Sequence, residues 1–373
     1  MTSSDVLSRF AISALLAASL AATVRGQAGG EASVPKPSLP NPYRLVPDWP
    51  TLPATMKGPS GKKWGEVIRV HLAPDGNIWV FHRCFNDKPT GDATCLNRGE
   101  ANPPILEFNP AGRLLKSFGA GLFAHPHGFT VDKDGNIWTT DTNDQETILD
   151  MPAKTAQGVM MGQTVFKISP QGKVLMTLGK AGVSGSGADL FDQPTDVVVA
   201  NDGTIFVTDS HRNGKNNRVV KLTKDGKYIK EWGSKGSGPG QISEPHTIAL
   251  DSRGRVFVGD RENNRIQIFD QEGKLLAEWR QFGRPSGISI TRDDTIYVTD
   301  SESGPDTGAH ELPGIKKGIR IGNAKTGVVT TFIEDMESTV ADHSGAEGIG
   351  VDAQGNVYGA VVRRRMLERH VKK

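Results

Sequence analysis

Pro126-His-Gly-Phe-Thr-Val-Asp-Lys-Asp-Gly-Asn-Ile-Trp138 is the phrase that decides the fold, because close or looser copies of it recur along the chain. In each copy an apolar run meets a turn of the Asp-Gly or Gly-Asn type, and a β-branched and aromatic run follows. This is the pattern of a β-hairpin. The six copies span Val67–Trp79, Pro126–Trp138, Pro194–Phe206, Pro245–Phe257, Pro285–Tyr297 and Ala346–Tyr358.

Most copies are followed by two more short apolar runs with a second glycine turn between them, as at Val219–Leu222 and Gly226–Trp232. Four strands in each of six repeats predict an all-β chain, a six-bladed β-propeller with four-stranded antiparallel blades around a central channel. A β-sandwich would not explain six copies of one phrase. The aromatic residue that ends each phrase is predicted to pack between blades.

The two ends of the chain differ in composition. Arg9, the apolar run Phe10–Val24 and the small residues near Ala28 predict a signal peptide over 1–28. The apolar run of about 15 residues is short of the roughly 20 that span a bilayer. Residues 29–60 are proline-rich and are predicted to form a linker, and 61–373 to form the propeller. We therefore expect a secreted or periplasmic protein with no membrane association after signal removal.

Cysteine content and charge narrow the class of protein further. Cys84 and Cys95 are the only cysteines, and in an exported chain an even pair predicts a disulfide. The 44 basic and 42 acidic residues leave a net charge of +2, which does not indicate a large nucleic-acid-binding surface. We expect a monomer whose partner is a small-molecule or peptide substrate.

In a propeller, equivalent residues of the innermost strands form a ring around the central channel. One position of the phrase, taken from each of the six copies, supplies such a ring. These residues are Ile68, His127, Thr195, His246, Ser286 and Glu347. Alternate members of a six-membered ring stand about 120° apart. His127, His246 and Glu347 are alternate members, so the sequence predicts that they converge on a divalent metal ion. The set suits zinc, and two histidines with one carboxylate also serve iron(II).

Other polar residues are predicted to lie near this ring. Arg83 and Arg261 each follow the second strand of a blade and could clamp a carboxylate. His211 occupies the matching exit in the third blade. His125 could support the metal ligands or be a loop residue, and His343 could assist or replace Glu347.

At these residues the chain resembles the peptidyl-α-hydroxyglycine α-amidating lyases (peptidylamidoglycolate lyases) and their bacterial relatives, which are NHL/TolB-like propellers. The matching phrases are Phe81-His-Arg83, Pro126-His-Gly128, Gln193-Pro-Thr-Asp196, Pro245-His246 and Asp260-Arg-Glu-Asn263 with Arg265-Ile-Gln-Ile-Phe269. The resemblance implies an axial zinc held by three histidines and cleavage of a carbinolamide into a peptide amide and glyoxylate. It places two metal ligands on His127 and His246, and two substrate-contacting arginines on Arg83 and Arg261.

The sequence departs from the family at three positions. Glu347 stands where the family has its third zinc histidine. The resemblance also implies a structural calcium, but Gly348 stands where the family has the acidic residue linked to it and does not support that site. The family's catalytic tyrosine falls at or beside His211, which could act as a base.

Two other functions compete with a metal-dependent lyase that acts on a carboxylate-bearing substrate. A non-catalytic propeller could present one face to a protein, peptide or glycan, with a structural metal on the axis. A lactone hydrolase is the third, although such propellers use mostly carboxylate and amide ligands, and the two histidines of the ring argue against it.

Overall fold

The computed structural model describes residues 34–54, 56, 64–83, 103–142, 158–212, 214–304, 312, 314–340 and 344–373. These residues form six separate four-stranded antiparallel sheets. The innermost strands contact one another in sequence around a ring, and the last of them contacts the first. The predicted six-bladed β-propeller is therefore confirmed. Cys84, Cys95 and His343 lie outside the described residues.

Each blade runs outward from its first strand. Blade one is β2 (Glu66–Leu72), β3 (Ile78–Arg83), β4 (Ile105–Phe108) and β5 (Leu114–Phe118), and blade two is β6 (His125–Val131), β7 (Ile137–Thr142), β8 (Thr164–Ile168) and β9 (Val174–Gly179). Blade three is β10 (Pro194–Val199), β11 (Ile205–Asp209), β12 (Arg218–Leu222) and β13 (Tyr228–Trp232). Blade four is β14 (Pro245–Leu250), β15 (Val256–Asp260), β16 (Arg265–Phe269) and β17 (Leu275–Trp279). Blade five is β18 (Gly287–Ile290), β19 (Thr295–Asp300), β20 (Gly318–Asn323) and β21 (Val329–Glu334). Blade six is β22 (Ala346–Val351), β23 (Val357–Val361), β24 (Met366–Lys372) and the N-terminal strand β1 (Tyr43–Val46).

The position of β1 corrects the predicted linker over 29–60. Tyr43–Val46 pairs with β24 as the outer strand of blade six, so the two ends of the chain close the ring together. Trp49 packs its ring against Tyr358, and the buried Leu52 joins the core between blades six and one. The stretch looked like a linker because it carries no copy of the phrase and its pairing partner lies at the far end of the sequence.

The phrase turns show why glycine recurs in them. In the second copy Gly135 adopts φ +80°, and its N–H donates to the Asp132 carbonyl at 3.0 Å. Positive φ is easily reached by glycine. In the fifth copy Asp294 takes the same place with φ +64°, a conformation that aspartate tolerates better than most residues. The hairpin is therefore kept where glycine is absent.

The core lies between the blades. The aromatic residue that ends each phrase is buried in all six copies, at most 5% exposed. The apolar clusters join neighbouring blades: Trp79 of blade one, for example, shares a cluster with Phe129 and Ile137 of blade two. The prediction that these aromatic side chains pack the core is confirmed.

A buried aspartate ends the second strand of most blades and fixes the loop that leads into the same blade. The Asp260 carboxylate accepts the Ser243 N–H at 2.7 Å, the Arg265 Nε–H at 2.6 Å and a side-chain amide of Gln267. Asp209 is tied in the same way to Arg218. These loops form one rim of the channel, so the buried aspartates hold the channel-facing residues in place.

Asp141, the equivalent aspartate of blade two, pairs with no arginine among the described residues, and this predicts a pH effect on stability. Burial raises its pKa to about 7, although N–H groups of Ala124 and His125 oppose the shift. Because the folded pKa lies above the unfolded one, the protonated form favours folding. That stability is complete below about pH 4 and is lost as the pH rises through about 7. The loss is on the order of 2–4 kcal/mol.

Melting curves of the wild type and Asp141→Asn between pH 5 and pH 8 measure this effect. The variant is expected to be less stable at pH 5, because asparagine offers one acceptor oxygen in place of two. It should then lose less stability than the wild type as the pH rises. Equal slopes in the two proteins would contradict the assignment to Asp141.

Among the described residues, no helix has the length and apolar character needed to cross a membrane.

Candidate functional site

The ring residues owe their orientation to β-bulges. The pairing register shifts between Pro126 and Phe129 in blade two, and between Pro245 and Thr247 in blade four. His127 and His246 are therefore not paired in the ladder. The unpaired residue of a β-bulge points its side chain in a new direction, and bulges are common beside active sites. The same shift occurs at Ile68, Thr195 and Glu347. The repeated phrase thus builds a bulge into at least five of the six inner strands.

The two ring imidazoles have fixed tautomers. Nδ1 of His127 lies 2.6 Å from the Thr195 carbonyl oxygen, and Nδ1 of His246 lies 2.8 Å from the Ser286 carbonyl oxygen. A carbonyl oxygen only accepts, so both Nδ1 atoms carry the proton and both Nε2 atoms present lone pairs. Both rings are fully buried, and neither Nε2 has a hydrogen-bond partner within the described chain. A metal-binding histidine usually donates its Nδ1–H to a carbonyl oxygen and keeps the lone pair of Nε2 for the metal.

Burial keeps these two imidazoles uncharged. It lowers the pKa of His246 to about 3, with Arg261 adding to the shift. Burial lowers the pKa of His127 well below its usual range, and the charges of Arg69 and Arg83 add to the shift. Neutral imidazole is the form that binds metal.

His211 completes a group of three imidazoles. It lies just past β11, is 2% exposed, and its ring centroid is 4.4 Å from that of His127 and 5.4 Å from that of His246. One ligand atom from each of the three histidines lies within 4.8 Å of the others. Tetrahedral zinc needs nitrogens about 3.3 Å apart, at bonds of about 2.0–2.1 Å. Small side-chain adjustments would therefore close the set on one ion.

The loop that carries His211 is held in an uncommon backbone conformation. Ser210 adopts φ +143°, and its N–H donates to the Gln193 carbonyl at 3.1 Å. The Gly214 N–H donates to the carbonyl of His211 at 2.8 Å. Residues outside the favoured backbone regions cluster at functional sites, where the surrounding structure enforces them.

Glu347 lies beside this group and contacts the ring of His246. Its Oε1 is 3.1 Å from Nε2 of His246. Burial alone would raise the pKa of Glu347, but the charges of Arg83 and Arg261 oppose this shift and favour the ionised carboxylate. An ionised oxygen and an imidazole lone pair thus face each other. Two acceptors at this separation are stabilised by a cation between them, and 3.1 Å allows both to lie about 2.0–2.2 Å from one ion.

The two predicted arginines lie beside the channel, and both already have partners. Arg261 is 6% exposed; it pairs with the buried Glu244, and its Nη1 lies 3.6 Å from Glu302. Burial alone would lower the pKa of Arg261, but Glu244 and Glu302 raise it above its usual value. Arg83 donates from Nε to the Pro126 carbonyl at 3.1 Å.

A model of the NHL repeat matches residues 123–146, 191–222 and 243–269. These stretches contain the inner strands that carry His127, Thr195 and His246. The chain is an NHL-repeat propeller that resembles the amidating lyases.

This NHL propeller is similar to curated proteins named for amidation. It is 35% identical over 239 residues to the peptidyl-glycine alpha-amidating monooxygenase of Mus musculus, covering 59% of this chain and 22% of the mouse protein. It is 30% identical over 242 residues to a probable peptidyl-alpha-hydroxyglycine alpha-amidating lyase of Caenorhabditis elegans, covering 62% of this chain and 61% of the worm protein. The matched part spans less than two thirds of either relative.

Among solved structures, the gluconolactonase XC5397 of Xanthomonas campestris superposes with a TM-score of 0.54. The sequence identity is 13%, and the match covers 82% of this chain and 86% of that one. At this identity the similarity supports the fold of the NHL propeller and carries nothing about its chemistry.

The surroundings of Gly348 do not fit a calcium ion. A Cβ at Gly348 would lie 2.6 Å from the Cα of Arg69, and the Arg69 guanidinium donates to the carbonyls of Ile68 and His246, each at 3.1 Å. The backbone oxygens nearby therefore already accept from a buried cation, which would repel a second one. We derive no role for calcium.

Two acidic residues at the site, Glu244 and Glu302, were not predicted from the sequence. Glu244 directly precedes the proline that opens the fourth phrase, and Glu302 has the same repeat position as His211. Aligning the blade exits as well as the ring would have placed both on the channel rim. The side chain of His125, by contrast, lies 2.7 Å from the Thr142 hydroxyl, in the same blade.

Proposed function

We propose that this NHL propeller is a metal-dependent lyase that cleaves the N–C bond of a peptidyl-α-hydroxyglycine-like substrate. One observation carries the proposal: three buried imidazoles lie together beside the buried Arg261, and two of them have Nε2 lone pairs without a hydrogen-bond partner among the described residues. The names of the relatives support the substrate class. Zinc fits three imidazoles best.

The residues at the site have separate roles in this proposal. His127, His211 and His246 would hold the ion, which when bound would polarise the oxygens of a substrate beside it. Arg261 and Arg83, whose charges both act on Glu347, would bind the substrate carboxylate by charge-assisted hydrogen bonds. Glu347 is ionised, faces His246 and can accept a proton.

The reaction needs no added water or oxidant. The hydroxyl proton passes to Glu347, the oxygen forms a carbonyl with its carbon, and the bond from that carbon to nitrogen breaks. The nitrogen then takes the proton back from Glu347. The products are a peptide amide and glyoxylate, which together contain every atom of the substrate.

The direct test is incubation of the metal-loaded protein with N-benzoyl-α-hydroxyglycine. We expect glyoxylate and benzamide in equal amounts, loss of activity after chelation, and recovery when zinc is returned. A metal-loaded protein that releases neither product would overturn the proposed reaction.

His211 and Glu347 exchange roles between the two ligand sets that the site allows, so two variants separate them. With three imidazoles as ligands, Glu347→Gln should keep the ion and slow turnover by roughly 10²–10⁴-fold, the usual contribution of a general base. His211→Ala should lose the ion. The ligand set predicted from the sequence has Glu347 as a ligand and His211 as the base. With that set, Glu347→Gln should lose the ion and His211→Ala should keep it. Metal analysis of both variants beside the wild type decides between them.

A further inference from the structure

Glu302 bridges two buried arginines from an exposed position. It follows β19, its Oε1 lies 3.6 Å from Arg261 Nη1, and its Oε2 accepts from Arg284 Nε at 3.0 Å. The Glu302 side chain is 42% exposed, whereas those of Arg261 and Arg284 are 7% and 3% exposed. A partly solvent-accessible carboxylate thus covers two guanidinium groups that the protein itself buries.

Both arginines are held in place without Glu302. Arg284 donates from Nη1 to the Arg261 carbonyl at 2.9 Å and pairs through Nη2 with Glu262, while its backbone N–H donates to the Asp300 carboxylate. Arg261 pairs with the buried Glu244. Pre-organised donors lose little freedom when a ligand binds. If Glu302 swings away, the two guanidinium groups remain aimed at the place that its carboxylate occupied.

This position belongs to the electrostatic surroundings of the axial histidines. The charge of Arg261 and, to a smaller extent, that of Arg284 lower the pKa of Glu302 to about 2, and Glu347 opposes the shift. Glu347 in turn contacts His246. In addition, Arg261 Nε is buried and has no hydrogen-bond partner within the described chain. The pair therefore has a donor to spare for an incoming acceptor.

We propose that Arg261 and Arg284 form a carboxylate subsite, that Glu302 occupies it in the free protein, and that the substrate carboxylate displaces Glu302. The subsite adds Arg284 and Glu302 to the specificity-determining residues, and it rests on the proposed function for the identity of the substrate. Displacement is required because Arg261 already faces Glu244. A third carboxylate on one guanidinium would be repelled by the other two, and of those two only Glu302 is exposed.

The test uses N-acetylglycine, a stable compound with the expected carboxylate, titrated by calorimetry into the wild type and Glu302→Gln. The variant keeps the shape of the side chain and removes the competing charge, so we expect Kd to fall about 10-fold. Glu302→Ala should give a fall of similar size. Arg284→Met should raise Kd at least 10-fold, both in the wild type and in the Glu302→Gln protein.

Glu272→Gln is the matched control. Glu272 is an exposed carboxylate that also bridges two cations, Lys221 at 2.7 Å and Lys230 at 3.4 Å, on the outer part of blades three and four. Its substitution should leave Kd unchanged. N-acetylglycinamide, which lacks the carboxylate, should bind equally weakly to the wild type and to Glu302→Gln.

An unchanged or higher Kd in Glu302→Gln and Glu302→Ala would overturn the displacement, and so would the absence of N-acetylglycine binding to every form. These outcomes differ from a failure of the proposed function. A protein that lacks metal or lyase activity but binds N-acetylglycine more tightly as Glu302→Gln keeps the subsite. A protein with lyase activity and no response to Glu302 variants keeps the function and loses only the subsite.

Discussion

Replacing His246 with alanine is expected to abolish metal binding. His246 is one of the three histidines whose ligand atoms lie within 4.8 Å of one another, and its Nε2 faces the Glu347 carboxylate at 3.1 Å. Even loss of a residue that only orients a ligand costs 10–100-fold in metal affinity, so loss of a ligand should weaken binding by at least about 100-fold. Lyase activity should fall with the metal content.

His71→Ala is the control for this variant. His71 is also a histidine of an inner strand, but its Nε2 lies 3.3 Å from the Thr130 hydroxyl, in a different part of the channel wall. It should keep the metal at the wild-type level. The circular dichroism of both variants should remain that of the folded propeller. A folded His246→Ala protein with undiminished metal would show that the ion binds elsewhere.

The largest effect on stability is expected from Asp260→Ala. The Asp260 carboxylate is fully buried and accepts hydrogen bonds from the Ser243 N–H and from Arg265, whose side chain is 1% exposed. Removing it leaves the Arg265 charge with one carboxylate partner, the partly exposed Glu278, and with the carbonyls of Gly238 and Gln241. Breaking a buried ion pair from one side costs about 3–5 kcal/mol. Urea denaturation should show a loss of unfolding free energy of this size.

Asp270→Ala is the matched control. Asp270 also accepts two backbone N–H groups, those of Glu272 and Lys274, but it does so in a solvent-facing turn of the same blade. Its loss should cost about 1 kcal/mol. Equal losses in the two variants would contradict the view that the buried aspartate at the end of β15 holds the blade and the adjoining Arg261 in place.

The fold was largely predictable because each blade repeats the same local rules. One phrase contains the turn glycine, the alternating strand pattern and the buried aromatic residue. Six copies of it leave few alternative folds. The outer strand Tyr43–Val46 was not predictable in this way. It contributes four residues without the phrase, and its partner Met366–Lys372 is brought beside it only when the ring closes.

The candidate site was predictable only where it belongs to the repeat. His127 and His246 were placed by their position in the phrase, and the bulges explain why that position faces the axis. His211 lies in a loop whose course depends on Ser210 and Gly214, so its approach to His127 could not be derived from spacing. The partners of Arg261 come from two different loops and required the assembled blades.

X-ray absorption at the metal edge of the wild-type protein, purified without added metal and dialysed, tests the central claim most directly. We predict one divalent ion per chain, with scattering from three imidazole rings at about 2.0–2.1 Å. No stoichiometric metal after incubation with zinc, or a bound ion without imidazole in its first coordination shell, would contradict the account of the axial site.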